Sequence, residues 1–317
     1  MSCYKSFHGT FAAVILLSAG LLAAVHAAEP AVTGQKKMEI DPDARIGEPV
    51  FKEDKKVWSY TVSSPYLNGE NEVEVLLPDT FDKTKKYRVL YALPVEKGIG
   101  GHFGDALQEM RNADVQNRHN LICVTMAFDS TPWYGAHPTN PKIRHEQYIL
   151  KVVAPLIESR YPALGTPEGR LLLGFSKSGW GAFSLILRNP DVFGYACSWD
   201  APLVVGWPGG WGIKDHFGTQ ENFEKYQVSK LFETQAAFFK DRTRLVLLGE
   251  TLFGPAVCPD KRGHTVLAHE TMSALGIRHA YRDDLKFTHS WISKAGPDRG
   301  WLKPAVAQLM EIVNHPK

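Results

Sequence analysis

Residues Arg170–Ala182 read RLLLGFSKSGWGA. Leu171, Leu172 and Leu173 form an unbroken apolar run, the pattern of a strand buried on both faces. From Ser178 to Leu187 the spacing becomes helical. Between the two lies a sharp reversal around Ser176, with Gly174 two residues before it and Ser178 two residues after. A chain that turns this tightly between strand and helix has no room for large side chains at those two places. The last position of the usual G-x-S-x-G pattern is occupied here by Ser178, which is small, and Gly179 follows it. The arrangement predicts a nucleophile elbow: the Ser176 hydroxyl at the C-terminal edge of a sheet, a helix N-terminus beneath it, and the Lys177 N–H available to an oxyanion. The competing reading is a structural strand-to-helix turn with no chemistry. Ser178 is the lesser nucleophile candidate, since it sits one step too deep in the helix.

Outward from this point the chain alternates strands and helices. Three strand-like runs, VWSYTV, NEVEVLLP and YRVLYALPV, lie between Val57 and Val95, separated by turn signals at Leu67-Asn68-Gly69 and Pro78-Asp79. A helix is predicted over Gly104–His119, a strand over Leu121–Phe128, and a helix over His145–Arg160. Tyr148, Ile149, Val152, Val153, Leu156 and Ile157 make the apolar stripe of that last helix. Strands follow at Phe193–Trp199 and Arg244–Gly249, then a helix from about Asp260 to Leu275, the short strand His279–Arg282, and a final helix starting near Pro304. Apolar strands separated by amphipathic helices imply an α/β fold with a mostly parallel twisted sheet covered on both faces. Residues 57–317 read as one domain with an irregular, cap-like insertion at about 201–242. Residues 28–56 read as an N-terminal extension.

The first residues have a different character. Lys5 precedes the apolar run Phe11–Val25, which ends in Val25-His26-Ala27 before Ala28. A charged start, an apolar centre shorter than a bilayer span and a small-residue end are the marks of an export signal cleaved after Ala27. The alternative is an uncleaved anchor. The expectation is an exported, periplasmic or extracellular protein with no stable membrane insertion after cleavage. The 317 residues carry 36 Lys and Arg against 34 Asp and Glu, so no field favours nucleic acid. Cys123 and Cys197 lie in apolar strand contexts and read as buried thiols.

A serine nucleophile needs a histidine base and an acid. In this topology the histidine follows the last strand, and His289, in Phe287-Thr288-His289-Ser290-Trp291, meets that requirement. His102, His119, His137, His145 and His216 come too early. His264 and His269 fall on a helix, His279 begins a strand and His315 is in the tail. The acid stays open. Asp200 closes the strand after the elbow, and Glu250 closes the next one. Asp260 is a third candidate that also reads as a helix cap. Asp283 and Asp284 read as solvated charges. Cys258, His264 and His269 are spaced C-x5-H-x4-H, which matches no common zinc pattern.

The run GFSKSGWGAFSLILRNPDVFGYACSWDAP, together with the late THSW, resembles the putative-esterase branch of the α/β-hydrolases, which includes S-formylglutathione hydrolase, feruloyl and acetyl-xylan esterases and mycolyltransferases. The resemblance covers roughly Val57 to the C-terminus. It implies an α/β-hydrolase fold and a Ser-His-acid carboxylesterase that acts through an acyl-enzyme, with no metal and no organic cofactor. One departure is visible. Those esterases carry a His-Gly-Gly oxyanion loop after the early strand, where this chain has Leu93-Pro94-Val95-Glu96-Lys97-Gly98. The second oxyanion donor would be the N–H of Val95 or Glu96, because Pro94 has none. Trp133 and Tyr134, on a loop after the strand ending at Phe128, and Trp207 and Trp211, in the insertion, could stack on a sugar or phenolic group of an ester substrate; the alternative is that they pack the loops. Rival readings are a non-catalytic binding protein on the hydrolase fold and a serine peptidase on the same fold.

Overall fold

In the central strands, alternate side chains enter two different cores. Ile122, Val124 and Met126 join one apolar cluster, whereas Leu121 and Cys123 join a second; Leu245 and Leu247 join the first, Val246 and Leu248 the second. This is the period of two of a strand with both faces covered. The computed structural model describes residues 38–249, 258, 260, 262–292 and 300–316. Its strands are β1 (Arg45–Ile46), β2 (Val50–Lys52), β3 (Val57–Ser63), β4 (Glu70–Leu76), β5 (Arg88–Ala92), β6 (Leu121–Met126), β7 (Arg170–Phe175), β8 (Tyr195–Trp199), β9 (Leu245–Leu248) and β10 (His279–Arg282). They form one sheet in the order β1-β3-β4-β6-β5-β7-β8-β9-β10, with β2 beside β3. Pairing is antiparallel from β1 to β6 and parallel from there to β10. The segment read as an extension therefore contributes β1 and β2 to the sheet. Residues 1–27, the expected signal, lie outside the described residues, and among those described no helix is long and apolar enough to cross a membrane.

Two of the expected helices differ in detail. The stretch from Gly104 to His119 is two helices, α1 (Ala106–Asn112) and α2 (Val115–Arg118). They part where Asp114 takes a left-handed φ of 59°, a conformation that aspartate tolerates better than most residues. In α3, two α-helical pieces, His145–Tyr148 and Ala154–Arg160, flank a π-helical turn at Ile149–Val153. Pro155 accounts for the irregularity: it lacks an N–H and its ring crowds the carbonyl four residues earlier. That carbonyl, of Lys151, accepts the N–H of Asp41 at 2.8 Å instead. The helix after the elbow, α4 (Ser176–Arg188), packs on the same face as α3, while α1 covers the opposite face.

The insertion is not irregular. It contains α5 (Ile213–Phe217), α6 (Gln220–Glu224), α7 (Val228–Gln235) and a 3-10 turn at Ala236–Phe239. These pieces are too short to show a helical period in sequence. Tertiary burial of Ile213, Phe217, Phe223, Val228 and Phe232 stabilises them. Helix α8 (His264–Ala274) begins four residues after Asp260, and α9 (Leu302–Asn314) closes the chain.

The insertion joins the body at a buried histidine pair. The rings of His145 and His216 lie 4.6 Å apart, and Ser130 Oγ meets His145 Nε2 at 3.3 Å. Burial holds both pKa values down, that of His216 to about 3. Both histidines are thus neutral when folded but protonate near 6.5 when unfolded. The unfolded state binds more protons below that pH, so stability falls as pH falls, by up to about 1.4 kcal/mol per pH unit for each histidine. Urea unfolding at pH 7, 6 and 5 should give a steadily decreasing free energy, and a constant value over that range would contradict the assignment.

Candidate active site

Strands β6 and β7 flank β5, so the chain leaves β5 in one direction and returns on the other. The loops after β5 and β7 therefore face each other across a topological switch point, where an open α/β sheet forms its crevice. The elbow occupies the β7 side. A Cβ on Gly174 would lie 2.4 Å from the carbonyl oxygen of Ser178, and one on Gly179 would lie 2.6 Å from Ser198 Oγ. Both positions require glycine for close approach. Ser178 is buried and does what a glycine could not. Its hydroxyl donates to the Phe175 carbonyl at 2.8 Å and accepts the Phe175 N–H at 3.0 Å, closing the turn. Ser176 itself is half-buried and has a φ of 53°, left-handed for a residue with a side chain. Such strain costs about 1–3 kcal/mol and persists where the surroundings enforce it.

Strand register brings Asp200 alongside. Phe175 pairs with Trp199 in the parallel β7–β8 ladder, so Ser176 and Asp200 leave the sheet at the same level. The Ser176 N–H donates to the Asp200 carbonyl at 3.1 Å, and the Asp200 N–H donates to the Gly249 carbonyl at 3.1 Å. Asp200 also has a positive φ, 46°. Its carboxylate Oδ2 lies 2.5 Å from Nδ1 of His289, and the two side chains are 1% and 22% exposed respectively. The acid is sealed from water while the imidazole can still be reached. Phe175 lies edge-on to His289 at 5.1 Å, and Trp291 packs edge-on against both Phe175 and Trp199.

On the β5 side, the Leu93 N–H donates to the Leu173 carbonyl at 2.9 Å, tying the loop to the elbow strand. Val95 is buried in the core between sheet and α1. The Glu96 carboxylate accepts the His102 N–H at 3.2 Å. Burial lowers the pKa of the Lys177 ammonium, an effect opposed by the Glu96 carboxylate.

The four aromatic residues read as stacking candidates divide. Trp133 and Tyr134 are fully buried, so neither offers a face to a ligand. Trp133 donates from Nε1 to the Trp211 carbonyl at 3.0 Å and packs edge-on against Trp180. The Tyr134 hydroxyl donates to the Pro94 carbonyl and so braces the β5 loop. Trp207 packs against Phe223, and Trp211 remains 43% exposed. Of the other acids, Asp260 is engaged by Arg262 and Asp284 by Arg282; Glu250 lies outside the described residues. The sequence reading missed Phe175 and Phe103 as neighbours of His289, and Trp291 as the ring that packs on Phe175 and Trp199. The only local signal was the aromatic residue on each side of Thr288-His289-Ser290.

Gly181 links the elbow helix to this brace. A Cβ there would lie 2.0 Å from Cδ2 of the Tyr134 ring. Gly181→Ala should destabilise the protein by about 2–3 kcal/mol, because both partners are fully packed. Chemical unfolding measures this, and a change below 0.5 kcal/mol, an order-of-magnitude threshold for surface-like effects, would show that the ring is free to move.

A mostly parallel sheet with helices on both faces and a strand-turn-helix serine at its switch point defines the α/β-hydrolase fold. Residues 64–245 match the family model described as "Esterase: Putative esterase", and the chain belongs to that family. It is 25% identical over 171 residues to an esterase of Mycobacterium tuberculosis (strain CDC 1551 / Oshkosh), an alignment covering 49% of this chain and 36% of that protein. The chain thus spans little more than a third of that relative's length. Among solved structures, an S-formylglutathione hydrolase from Agrobacterium tumefaciens superposes with a TM-score of 0.62 at 16% identity, covering 83% of this chain and 99% of the other. A ferulic acid esterase superposes with a TM-score of 0.53 at 18% identity, covering 78% and 92%. At these identities the likeness is one of fold.

Proposed function

We propose that this chain is an exported serine carboxylic-ester hydrolase that works through an acyl-enzyme. The observation that carries the reading is the 2.5 Å contact of Asp200 Oδ2 with His289 Nδ1, beside a left-handed Ser176 whose N–H is held by the Asp200 carbonyl. With Nδ1 engaged, His289 presents Nε2 as its base. Ser176 Oγ attacks the ester carbonyl and its proton passes to Nε2. The Lys177 N–H, with that of Val95 or Glu96, holds the developing oxyanion. The C–O bond to the alcohol breaks and His289 returns the proton to the leaving oxygen. Water, deprotonated by the same nitrogen, then attacks the acyl-enzyme; the acid is released and Ser176 regains its proton. Asp200 orients the ring and stabilises the imidazolium.

The substrate is an acyl or phenolic ester of a carbohydrate, with Trp211 as the exposed stacking surface on the insertion and Trp207, which packs on Phe223, as the second candidate there. Export rests on the leader read at residues 1–27. The test is to treat the purified protein with a fluorophosphonate and to assay it on p-nitrophenyl acyl esters, acetylated sugars and feruloylated sugars. An adduct on Ser176 and turnover of at least one ester class are expected. No adduct and no turnover in folded protein would leave a non-catalytic member of the fold; peptide cleavage without ester cleavage would make it a peptidase.

A further inference from the structure

The loop that carries His289 is tied to a distant segment, residues 98–104. That segment reads GIGGHFG, and all four of its glycines have positive φ, from 76° at Gly98 to 94° at Gly101. Side chains rarely adopt such backbone, so the path is one that only glycine follows without strain. At its end, a single carbonyl oxygen, that of Phe103, accepts two hydrogen bonds from the histidine loop. One comes from the Trp291 N–H at 2.9 Å and the other from the Ser290 hydroxyl at 2.9 Å. The two donors directly follow His289. The Phe103 ring lies edge-on to His289 at 5.4 Å and edge-on to Phe175 at 5.9 Å. His289 therefore packs edge-on against a pair of phenyl rings that also touch each other, one from the elbow strand and one from the glycine segment. Gly104 completes the junction: a Cβ there would lie 2.3 Å from Cγ1 of Ile292, so the histidine loop seats directly on its backbone.

We propose that Phe103 is a positioning residue for His289, and that through it the segment following the oxyanion loop fixes where the base stands. The inference rests on the reading of Ser176 and His289 as nucleophile and base. Asp200 fixes one ring nitrogen and Phe175 packs against the imidazole. The Phe103 ring and the bonds to its carbonyl add a constraint from a separate segment, which limits rotation of the ring about the Asp200 contact. A base misplaced by about 1 Å loses on the order of 10²-fold in rate without changing how substrate is held.

The experiment compares Phe103→Ala, Phe103→Tyr and Ser290→Ala with the wild type on p-nitrophenyl acetate, with the thermal midpoint recorded for each. Wild-type turnover and fluorophosphonate labelling are the control for the underlying reading; if both are absent, that reading fails and Phe103 is not at issue. Given an active wild type, Phe103→Ala should lower kcat by about 10- to 100-fold with KM within about threefold, and the labelling rate should fall in parallel. Phe103→Tyr keeps the ring edge and should recover most of kcat. Ser290→Ala removes one of the two bonds to the Phe103 carbonyl and should lower kcat several-fold at unchanged KM; it carries the test if Phe103→Ala does not fold. The proposal is overturned if folded Phe103→Ala keeps kcat within about twofold, if KM rises in step with the loss of kcat, or if Phe103→Tyr recovers nothing. With Phe103→Ala unfolded, a Ser290→Ala kcat within about twofold of wild type also overturns it.

Discussion

Ser176→Ala should reduce ester turnover on the order of 10⁴- to 10⁶-fold and abolish fluorophosphonate labelling, while the protein stays folded. The size of the effect follows from what remains. Without the hydroxyl, no covalent intermediate forms, and catalysis falls back on oxyanion stabilisation and substrate binding alone. The position adds a second, independent expectation. Ser176 is held at a φ of 53° by the elbow, so Ser176→Gly should be just as inactive yet more stable than Ser176→Ala, by about 1 kcal/mol, because glycine adopts that conformation without a side-chain clash. Kinetics and urea unfolding on the two variants separate chemistry from strain. Substantial turnover in Ser176→Ala would remove Ser176 from the mechanism whatever the stability result.

Asp200→Asn should lower kcat by about 10³- to 10⁴-fold, since the neutral amide neither stabilises the imidazolium nor holds the tautomer the base requires. Asparagine is the informative replacement. It tolerates the left-handed backbone at this position, and the N–H and carbonyl that bind Gly249 and Ser176 are untouched. The loss therefore reads the carboxylate alone. Glu250→Ala, made in parallel, should remain within about fivefold of wild type, a change of about 1 kcal/mol in barrier. The reverse pattern, with Asp200→Asn nearly active and Glu250→Ala dead, would transfer the acid's role to the next strand.

Much of this molecule is legible in its sequence for a local reason. Strand and helix periods are written into neighbouring residues, so Leu171–Leu173 and the stripe of His145–Arg160 declare themselves without knowledge of the rest. The small residues at Gly174, Ser178 and Gly179 are equally local, because the crowding they relieve lies within the same turn. The short helices of the insertion are not legible, since at five to eight residues each they depend on burial against α4 and its neighbours. Nor is the fate of Trp133 and Tyr134. A loop rich in glycine, proline and aromatics reads the same whether its rings face solvent or fill a core, and only tertiary contacts such as the close approach of Gly181 and the bond to the Pro94 carbonyl show that Tyr134 is enclosed.

The sequence by itself determined the fold class, the elbow and the place of His289 after the last strand, because each follows from spacing along one stretch of chain. It left Asp200 and Glu250 level, since both close an apolar strand beside the same edge. Tertiary structure brought Asp200 to His289. The two are 89 residues apart and meet through the β7–β8 register and the bend of the histidine loop over Phe103. Hydrogen bonds between distant segments set both, and no local pattern of residues encodes such bonds.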